Sequence, residues 1–303
     1  MAELRFDNRV AVITGGGRGL GRSYALLLAS RGARVVVNDP GVSMQGDDTN
    51  EGPAEALVQE IRAAGGEAVA NTDSVATPEG GQAIIQTALD NYGRIDILIH
   101  NAGIVRRGSL SELSYDDFET VMDVHLRGGF HVVRPAFPHM VKAGYGRIVM
   151  TASINALYGN AGVVNYSMAK AGLIGLANVA AIEGANSNIK SNCIIPAAVT
   201  RMSEGIDTSK FPPMQPELVA PVVAYLAHET CEITGEMLIS AAGRVARAYA
   251  AETRGVYQPE WNIEQVAERM DEIRSTSEPL LFPPVPSGHL DHLLYSFEMA
   301  NTG

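Results

Sequence analysis

Short apolar runs alternate along most of the chain with longer segments in which apolar residues recur at helical spacing. The runs are short and often β-branched, which is typical of buried strands. The predicted strands are Val10–Thr14, Arg34–Asn38, Glu67–Asn71, Ile95–His100, Gly146–Thr151, Lys190–Ile195 and Gly235–Ile239, and the predicted helices are Arg22–Ser30, Glu55–Ala64, Gly80–Tyr92, Tyr115 to Val133 and beyond, Asn165–Ala185 and Pro216–Ala227. Buried strands separated by helices predict an α/β fold, a doubly wound parallel sheet with helices on both faces.

Two segments depart from this alternation. Residues 40–52 are polar and glycine-rich, which predicts a solvated surface loop. Residues 244–303 form a tail with apolar positions at 3-4-3 spacing in 263–273, typical of an amphipathic helix, followed by the proline-rich, non-helical segment 281–286. We therefore divide the chain into one domain, residues 1–243, and an extension, residues 244–303, which we expect to pack on the body or on a neighbouring subunit.

Composition excludes several classes of partner. The 303 residues carry a net charge of −11, which argues against nucleic acid and gives an anionic substrate no global attraction. The two cysteines, Cys193 and Cys231, lack a metal-ligand spacing, so we expect buried free thiols, a reducing compartment and no metal. There is no apolar signal core and no apolar run near ~20 residues. We expect no membrane span and a cytoplasmic location.

A glycine-rich turn follows the first predicted strand and opens the first helix. Gly15, Gly19 and Gly21 allow a sharp turn, and the helix N-terminus can bind a pyrophosphate, so this opening predicts a Rossmann-type dinucleotide site. Asp39, eighteen residues past Gly21, lies where a carboxylate can accept both ribose hydroxyls of NAD. It would also repel a 2′-phosphate, because two like unit charges about 4 Å apart repel by ~1 kcal/mol in water and by ~4 kcal/mol at an effective dielectric of 20. Arg18 would favour NADP, but Asp39 lies at the ribose hydroxyl itself, so the sequence indicates NAD.

Three polar residues follow later strands at informative spacing. Tyr166 and Lys170 are four residues apart and share one face of a predicted helix, and Ser153 precedes Tyr166 by thirteen residues. An ammonium favours the ionised phenol, and a serine hydroxyl can position the reacting oxygen. With a dinucleotide site, this set indicates hydride transfer at an alcohol carbon, with Tyr166 as the base.

In this order the motifs resemble those of the short-chain dehydrogenase/reductase family, over roughly residues 7–243. The resemblance implies that Asp73 pairs with the adenine amino group, although Asp73 is also a possible cap of the next helix. The remaining positions that it assigns to the cofactor site are Leu20 in the turn, Ser74 and Val75 around the adenine, Asn101, Ala102 and Gly103 at the ribose, Tyr166 and Lys170 themselves, and Pro196 and Thr200 at the nicotinamide.

Three positions depart from the family pattern. His100 precedes Asn101 where the family often has a second asparagine, and Ala197 replaces a glycine. His125 replaces an asparagine that bends the long helix and holds a water behind the lysine. Its role is left open between an interior histidine and a catalytic one, and the backbone carbonyl at this point could still hold that water.

Within the family, the chain is most similar to dehydrogenases of (3R)-3-hydroxyacyl-CoA. The similar stretches are 36–39, 124–128, 176–178 and 182–184. The resemblance implies oxidation of a (3R)-3-hydroxyacyl-CoA to the 3-ketoacyl form. Two alternatives are a dehydrogenase of hydroxysteroids or other bulky secondary alcohols, and a catalytically silent NAD-binding protein.

The residues that contact the substrate are less defined by the sequence. Residues 200–213 are the expected lid. Met202, Phe211 and Met214 either line it or simply pack, and Tyr158, near the catalytic end of the sheet, is a similar candidate. The family also implies a homodimer or homotetramer, formed through the helices near residues 115–140 and 165–185.

Overall fold

The computed structural model describes residues 2–43, 52–200 and 210–302. Among these residues, eight strands form one sheet in the order β3-β2-β1-β4-β5-β6-β7-β8. The strands are β1 (Val10–Thr14), β2 (Arg34–Asn38), β3 (Glu67–Asn71), β4 (Ile97–His100), β5 (Gly146–Thr151), β6 (Ile189–Ala197), β7 (Met237–Ala241) and β8 (Arg244–Ala248). The first seven run parallel, and β8 pairs antiparallel with β7. The predicted fold class is confirmed.

Helices cover both faces of the sheet. They are α1 (Gly19–Ser30), α2 (Pro53–Ala63), α3 (Pro78–Tyr92), α4 (Tyr115–Met122), α5 (Gly128–Ala143), α6 (Asn155–Tyr158), α7 (Val164–Gly184), α8 (Ala220–Ala227), α9 (Ile263–Glu268), α10 (Met270–Ile273) and α11 (Leu290–Thr302). Along β1, Ala11 and Ile13 belong to one core layer while Val10 and Val12 belong to the other. This alternation explains why the strand is apolar throughout, since both of its faces are buried.

The order of the strands places a cleft at the carboxyl ends of β1 and β4. The chain runs outward from β1 through β2 to β3, then returns to β4 on the other side of β1. Connections therefore leave β1 and β4 in opposite directions, which opens a crevice between them. The glycine turn follows β1 at this crevice, and Ser153 follows β5 at the same edge of the sheet.

The long helix predicted from Tyr115 is interrupted. Between α4 and α5, residues Asp123–Arg127 form a π turn, in which the Gly128 N–H reaches the carbonyl of Asp123 five residues back. His125 is at the centre of this turn. Apolar periodicity predicted the helix but not its change of register. No described helix combines the length and apolarity that a bilayer span requires.

The tail begins inside the sheet. Residues 244–248 form the edge strand β8, which the sequence did not predict. The single predicted helix over residues 263–273 is two short helices, because Arg269 has a non-helical φ of −98°. Segment 281–286 has no helix, as predicted, and α11 follows it. The division of the chain at residue 243 stays a prediction.

Candidate active site

Close packing explains two of the three glycines in the turn after β1. A Cβ on Gly21 would lie 2.1 Å from the carbonyl oxygen of Gly15, and a Cβ on Gly15 would lie 2.8 Å from the Cα of Ala102. Gly15 also has a φ of +59°. Gly19 differs, because its added Cβ would meet only the side chain of Thr200, at 3.4 Å. Gly19 is instead required by its own φ of +51°, so all three glycines shape the turn.

The N-terminus of α1 has the properties of an anion site. Arg18 occupies the N-cap without a side-chain cap, and the first turn contains no acidic residue. The first backbone N–H groups and the positive end of the helix dipole are thereby available to a phosphate. Within the described part of the chain, Nη1 of Arg18 is buried without a hydrogen-bond partner. Leu20 packs its side chain on the core, so only its backbone can serve the site.

Asp39 is held at the carboxyl end of β2 by two backbone groups. Its Oδ2 accepts the Gly17 N–H at 3.1 Å, and its Oδ1 accepts the Gly41 N–H at 2.9 Å. A Cβ on Gly17 would lie 2.9 Å from this carboxylate, so the turn and the end of β2 are in direct contact. A dinucleotide pyrophosphate on α1 and a ribose beside Asp39 are compatible with this arrangement.

Asp73 lies at the carboxyl end of β3 in a network of amides. Asn71 Nδ2 donates to its carboxylate at 2.7 Å, and Asn38 Nδ2 donates to its carbonyl at 2.8 Å. Asp73 does not cap α3, because Thr77 does so by accepting the Gly80 N–H. The carboxylate is exposed and oriented from behind, which leaves it accessible to an adenine amino group.

The two residues after Asp73 differ in their exposure to solvent. Ser74 is exposed, and its hydroxyl accepts the Ala76 N–H at 3.2 Å. Val75 is buried, and its side chain packs where Gly128 leaves space. Ser74 therefore borders solvent beside Asp73, and the Val75 side chain belongs to the core.

The ends of β1 and β4 are joined by one threonine. The hydroxyl of Thr14 accepts the backbone N–H groups of Asn101 and Ala102, both at 3.1 Å, and Asn101 Nδ2 donates to the Gly15 carbonyl at 3.0 Å. These bonds fix residues 101–103 against the glycine turn. Gly103 leaves room for the ring of His125, because an added Cβ would lie 2.4 Å from its Cε1.

Ser153, Tyr166 and Lys170 meet at the same edge of the sheet. Tyr166 and Lys170 are one turn apart on α7, and Lys170 Nζ lies 5.6 Å from the centre of the Tyr166 ring. Burial raises the pKa of the Tyr166 phenol, and a hydrogen bond with Ser153 acts in the opposite direction. The predicted lowering of this pKa by Lys170 and a nicotinamide ring stays a prediction.

The amine of Lys170 is buried against the sheet. Its Nζ donates to the carbonyl of Thr151, at the end of β5, at 2.6 Å. Burial lowers its pKa from 10.5 to about 7, with a smaller opposite effect from Cys193. An amine with this pKa exchanges protons readily near neutral pH.

Asn165, which the sequence did not single out, fixes the start of α7, the helix that carries Tyr166 and Lys170. It is fully buried; its Nδ2 donates to the carbonyls of Arg106 and Asp117 at 3.1 and 3.3 Å, and its Oδ1 accepts the Tyr166 N–H at 2.8 Å. Its position directly before the tyrosine was the only available signal, because its partners come from a distant loop and from α4.

His100 and His125 are both fully buried behind Tyr166. The Nε2 of His100 lies 2.9 Å from the His125 carbonyl, and its Nδ1 lies 3.0 Å from the Thr14 hydroxyl. The His125 ring packs edge-on against Tyr166, with ring centres 5.1 Å apart and planes at 84°. Burial, then the nearby Lys170, lowers the pKa of His100 to about 3 and that of His125 well below its usual range.

The candidate substrate residues are only partly described. Pro196 and Ala197 end β6 beside β7, and Thr200 faces the glycine turn. The Val199 N–H donates to the Met214 carbonyl at 2.7 Å, so the two residues that flank the predicted lid are in contact. Met202 and most of the predicted lid lie outside the described residues.

Two other candidates are largely exposed. Tyr158 is 78% exposed and Phe211 48%. Neither packs into the core, and contact with a substrate stays a prediction for both. The structure thus brings the turn, Asp39, Asp73, residues 101–103 and the Ser153, Tyr166 and Lys170 set to one edge of the sheet.

Comparison with known proteins gives consistent matches. A family model described as short chain dehydrogenase matches residues 9–210. The chain is 52% identical over 254 residues to peroxisomal multifunctional enzyme type 2 of Drosophila melanogaster, covering 84% of this chain and 42% of that protein. It is 48% identical over 245 residues to the peroxisomal hydratase-dehydrogenase-epimerase of Saccharomyces cerevisiae, covering 79% and 27%.

A solved structure extends the similarity over nearly the whole chain. The full-length peroxisomal multifunctional enzyme type 2 from Drosophila melanogaster matches with a TM-score of 0.81 and 40% identity, over 98% of this chain and 50% of that one. The chain therefore spans half or less of the length of these relatives.

Proposed function

The chain belongs to the short-chain dehydrogenase family, and we propose that it is an NAD-dependent dehydrogenase that oxidises a (3R)-3-hydroxyacyl-CoA to the 3-ketoacyl-CoA. The observation that carries the proposal is the meeting of Ser153, Tyr166 and Lys170 at the edge of the sheet where the glycine turn opens α1. Family membership supports oxidoreductase chemistry at a CH–OH group. The name of one relative contains the word dehydrogenase, which supports the reaction type, while the thioester substrate is inferred from the similar stretches of sequence described above.

The reaction divides among three side chains. Ser153 donates a hydrogen bond to the carbinol oxygen and fixes its position. The Tyr166 phenolate oxygen takes the hydroxyl proton as the C–H bond breaks. A nicotinamide dinucleotide, when bound, supplies the acceptor for the departing hydride. Lys170 lies behind the phenol, where its protonated form favours the phenolate and where it would also hold the nicotinamide ribose.

Asp39 supports NAD over NADP. Its two carboxylate oxygens are already fixed by backbone N–H groups, so the negative charge stays where the adenosine ribose would lie. Two hydroxyls can donate to that carboxylate, whereas a 2′-phosphate would be repelled. Arg18, whose Nη1 is buried in the turn, fits the pyrophosphate as a counter-charge.

A CoA thioester would need local positive charge, for which Arg107 is the candidate. The chain as a whole is acidic, so a CoA phosphate needs basic residues close to the cleft. Arg107 is exposed in the loop between β4 and α4, and the Asn165 side chain ties the neighbouring Arg106 carbonyl to the catalytic helix. Arg106 itself forms an ion pair with Asp117, at 2.8 Å.

Association into a homodimer or homotetramer is part of the proposal. The helices expected to mediate it expose large apolar side chains, each between 43% and 51% exposed: Phe130 and Val141 on α5, and Met168 and Val179 on α7. Burial of such side chains stabilises an interface between copies. Light scattering during size-exclusion chromatography tests this proposal, and a monomer at micromolar concentration would contradict it. The cytoplasmic location expected from the sequence stays a prediction, since the named relatives are peroxisomal.

One assay tests the proposed activity. The purified chain is given NAD or, in parallel, NADP with a (3R)-3-hydroxyacyl-CoA, with its (3S) isomer, and with a panel of hydroxysteroids, and formation of the reduced cofactor is followed. We expect turnover of the (3R) thioester. Turnover of steroids alone would favour the hydroxysteroid alternative, and reduction of NADP alone would contradict the cofactor assignment.

A further inference from the structure

We propose that His100 is a positioning residue of the active site: by donating a hydrogen bond to the His125 carbonyl, it holds the π turn that seats the His125 ring against Tyr166. This inference rests on the proposed dehydrogenase function. It assigns a role to a side chain at the end of β4 that does not touch the reacting atoms. The steps from His100 to Tyr166 each rest on a separate contact.

The direction of the first hydrogen bond follows from Thr14. Its hydroxyl oxygen already accepts two backbone N–H groups, from Asn101 and Ala102, so its own proton is free to be donated. The acceptor is Nδ1 of His100, at 3.0 Å. A neutral imidazole whose Nδ1 accepts carries its proton on Nε2, and that Nε2 lies 2.9 Å from the His125 carbonyl.

The π turn is built to receive this imidazole. Gly129, one turn after His125, has no side chain on the side where His100 approaches. A Cβ there would lie 3.3 Å from His100 Cδ2 and 2.6 Å from a methyl group of Leu173. The absence of a side chain at Gly129 therefore lets the His100 ring approach the helix backbone closely enough to contact the His125 carbonyl.

The His125 ring transmits the position of the turn to Tyr166. On one side its Nε2 lies 2.8 Å from the Ile104 carbonyl oxygen, and Gly103 gives the ring its space. On the other side the ring meets Tyr166 edge-on at 5.1 Å. The ring is fully buried, so a shift of the turn carries it toward or away from the phenol.

Loss of the His100 donor is expected to displace the π turn and Tyr166 while the chain stays folded. Without it, the His125 carbonyl would be buried with a weaker set of partners, and the π turn would relax. Tyr166 would then move relative to Ser153, while the glycine turn that binds the cofactor would keep its own contacts. A misplacement of about 1 Å at a reacting group can cost on the order of a hundredfold in rate.

Three variants separate positioning from simple packing. His100→Leu keeps an apolar side chain but removes the donor, and His100→Gln restores an N–H donor near the position of Nε2. His228→Leu is the matched control: His228 is also buried and also bonds a backbone carbonyl, that of Arg5, but lies at the opposite edge of the sheet.

The readouts are kcat, KM for both substrates, and hydrogen exchange of peptides that cover residues 119–130. We expect His100→Leu to lower kcat by roughly tenfold to a hundredfold, with KM values within about twofold and faster exchange in that segment. His100→Gln should recover most of both, and His228→Leu should lower the melting temperature without either change.

Two results would overturn the inference: unchanged exchange at residues 119–130 in His100→Leu, or equal losses of kcat in His100→Leu and His228→Leu. The exchange measurement needs no turnover. If the wild-type chain oxidises none of the alcohols, the proposed function fails, and the exchange pattern alone decides the role of His100.

Discussion

The amine of Lys170 lies 5.6 Å from the centre of the Tyr166 ring and donates a hydrogen bond to the carbonyl of Thr151, the last residue of β5. Helix α7 is thereby fixed to the sheet at the level of the Tyr166 phenol. The same contact places a basic group in a fully buried position, where the neutral amine is favoured. Because burial lowers the pKa of Lys170, the free energy of unfolding should depend on pH.

The buried Lys170 should make stability rise with pH. In the folded chain its pKa is about 7, compared with 10.5 when exposed, so between about pH 7 and 10.5 the unfolded chain binds up to one more proton. The free energy of unfolding should rise by up to ~1.4 kcal/mol per pH unit from this group. Below pH 7 both states are protonated and this contribution to the slope vanishes.

Chemical denaturation of the wild type and of Lys170→Met across this range measures the effect. The variant should lack the added slope, and Lys142→Met, a change at an exposed lysine, should keep it. Equal slopes in the wild type and Lys170→Met would contradict the lowered pKa of the buried amine.

Asp39→Ala should relax the choice of cofactor. Removing the carboxylate takes away the acceptor for the ribose hydroxyls and the repulsion of a 2′-phosphate. We expect the ratio of kcat/KM for NAD over NADP to fall by at least about fivefold, since the repulsion is ~1 to 4 kcal/mol. Asp90→Ala, at an exposed position on α3, serves as the control. An unchanged ratio would refute the role of Asp39.

Gly21→Ala should distort the cofactor turn. The added methyl group would lie 2.1 Å from the Gly15 carbonyl oxygen, a contact that cannot be accommodated without moving backbone. We expect a loss of about 1 to 3 kcal/mol in the free energy of unfolding and weaker NADH binding, measured by denaturation and calorimetry. Gly175→Ala, on α7 with nothing near its added methyl group, should be neutral or slightly stabilising.

Arg107→Ala should weaken binding of the thioester selectively. If Arg107 binds a CoA phosphate, its removal raises KM for 3-hydroxyacyl-CoA by roughly tenfold and leaves KM for a short pantetheine thioester, which lacks the nucleotide phosphates, unchanged. Lys142→Ala removes an exposed charge at the end of α5 away from the cleft and should change neither value. Equal effects on the two substrates would contradict a phosphate contact.

The sequence was sufficient for those parts of the fold that depend on local pattern. Short buried runs predicted the first seven strands closely, and the four-residue spacing of Tyr166 and Lys170 placed both on one face of α7. Strand β8 was missed because Arg244–Ala248 carries two arginines and pairs at the edge of the sheet, where burial does not impose an apolar pattern.

The contacts behind Tyr166 could not be predicted from spacing. The bond from His100 to His125 joins the end of a strand to a helix, and the π turn that presents the carbonyl has the same apolar periodicity as an ordinary helix. Asn165 was missed for a similar reason, since its partners are separated from it by 48 and 59 residues along the chain. Such bonds depend on tertiary packing, which a single sequence does not specify.

Tyr166→Phe tests the central claim most directly. The substitution removes only the phenolic oxygen and keeps the ring that packs on His125. We expect kcat with NAD and a (3R)-3-hydroxyacyl-CoA to fall by roughly a hundredfold to ten-thousandfold, while NADH still binds with nearly unchanged affinity. Full turnover by Tyr166→Phe would contradict the assignment of that oxygen as the base.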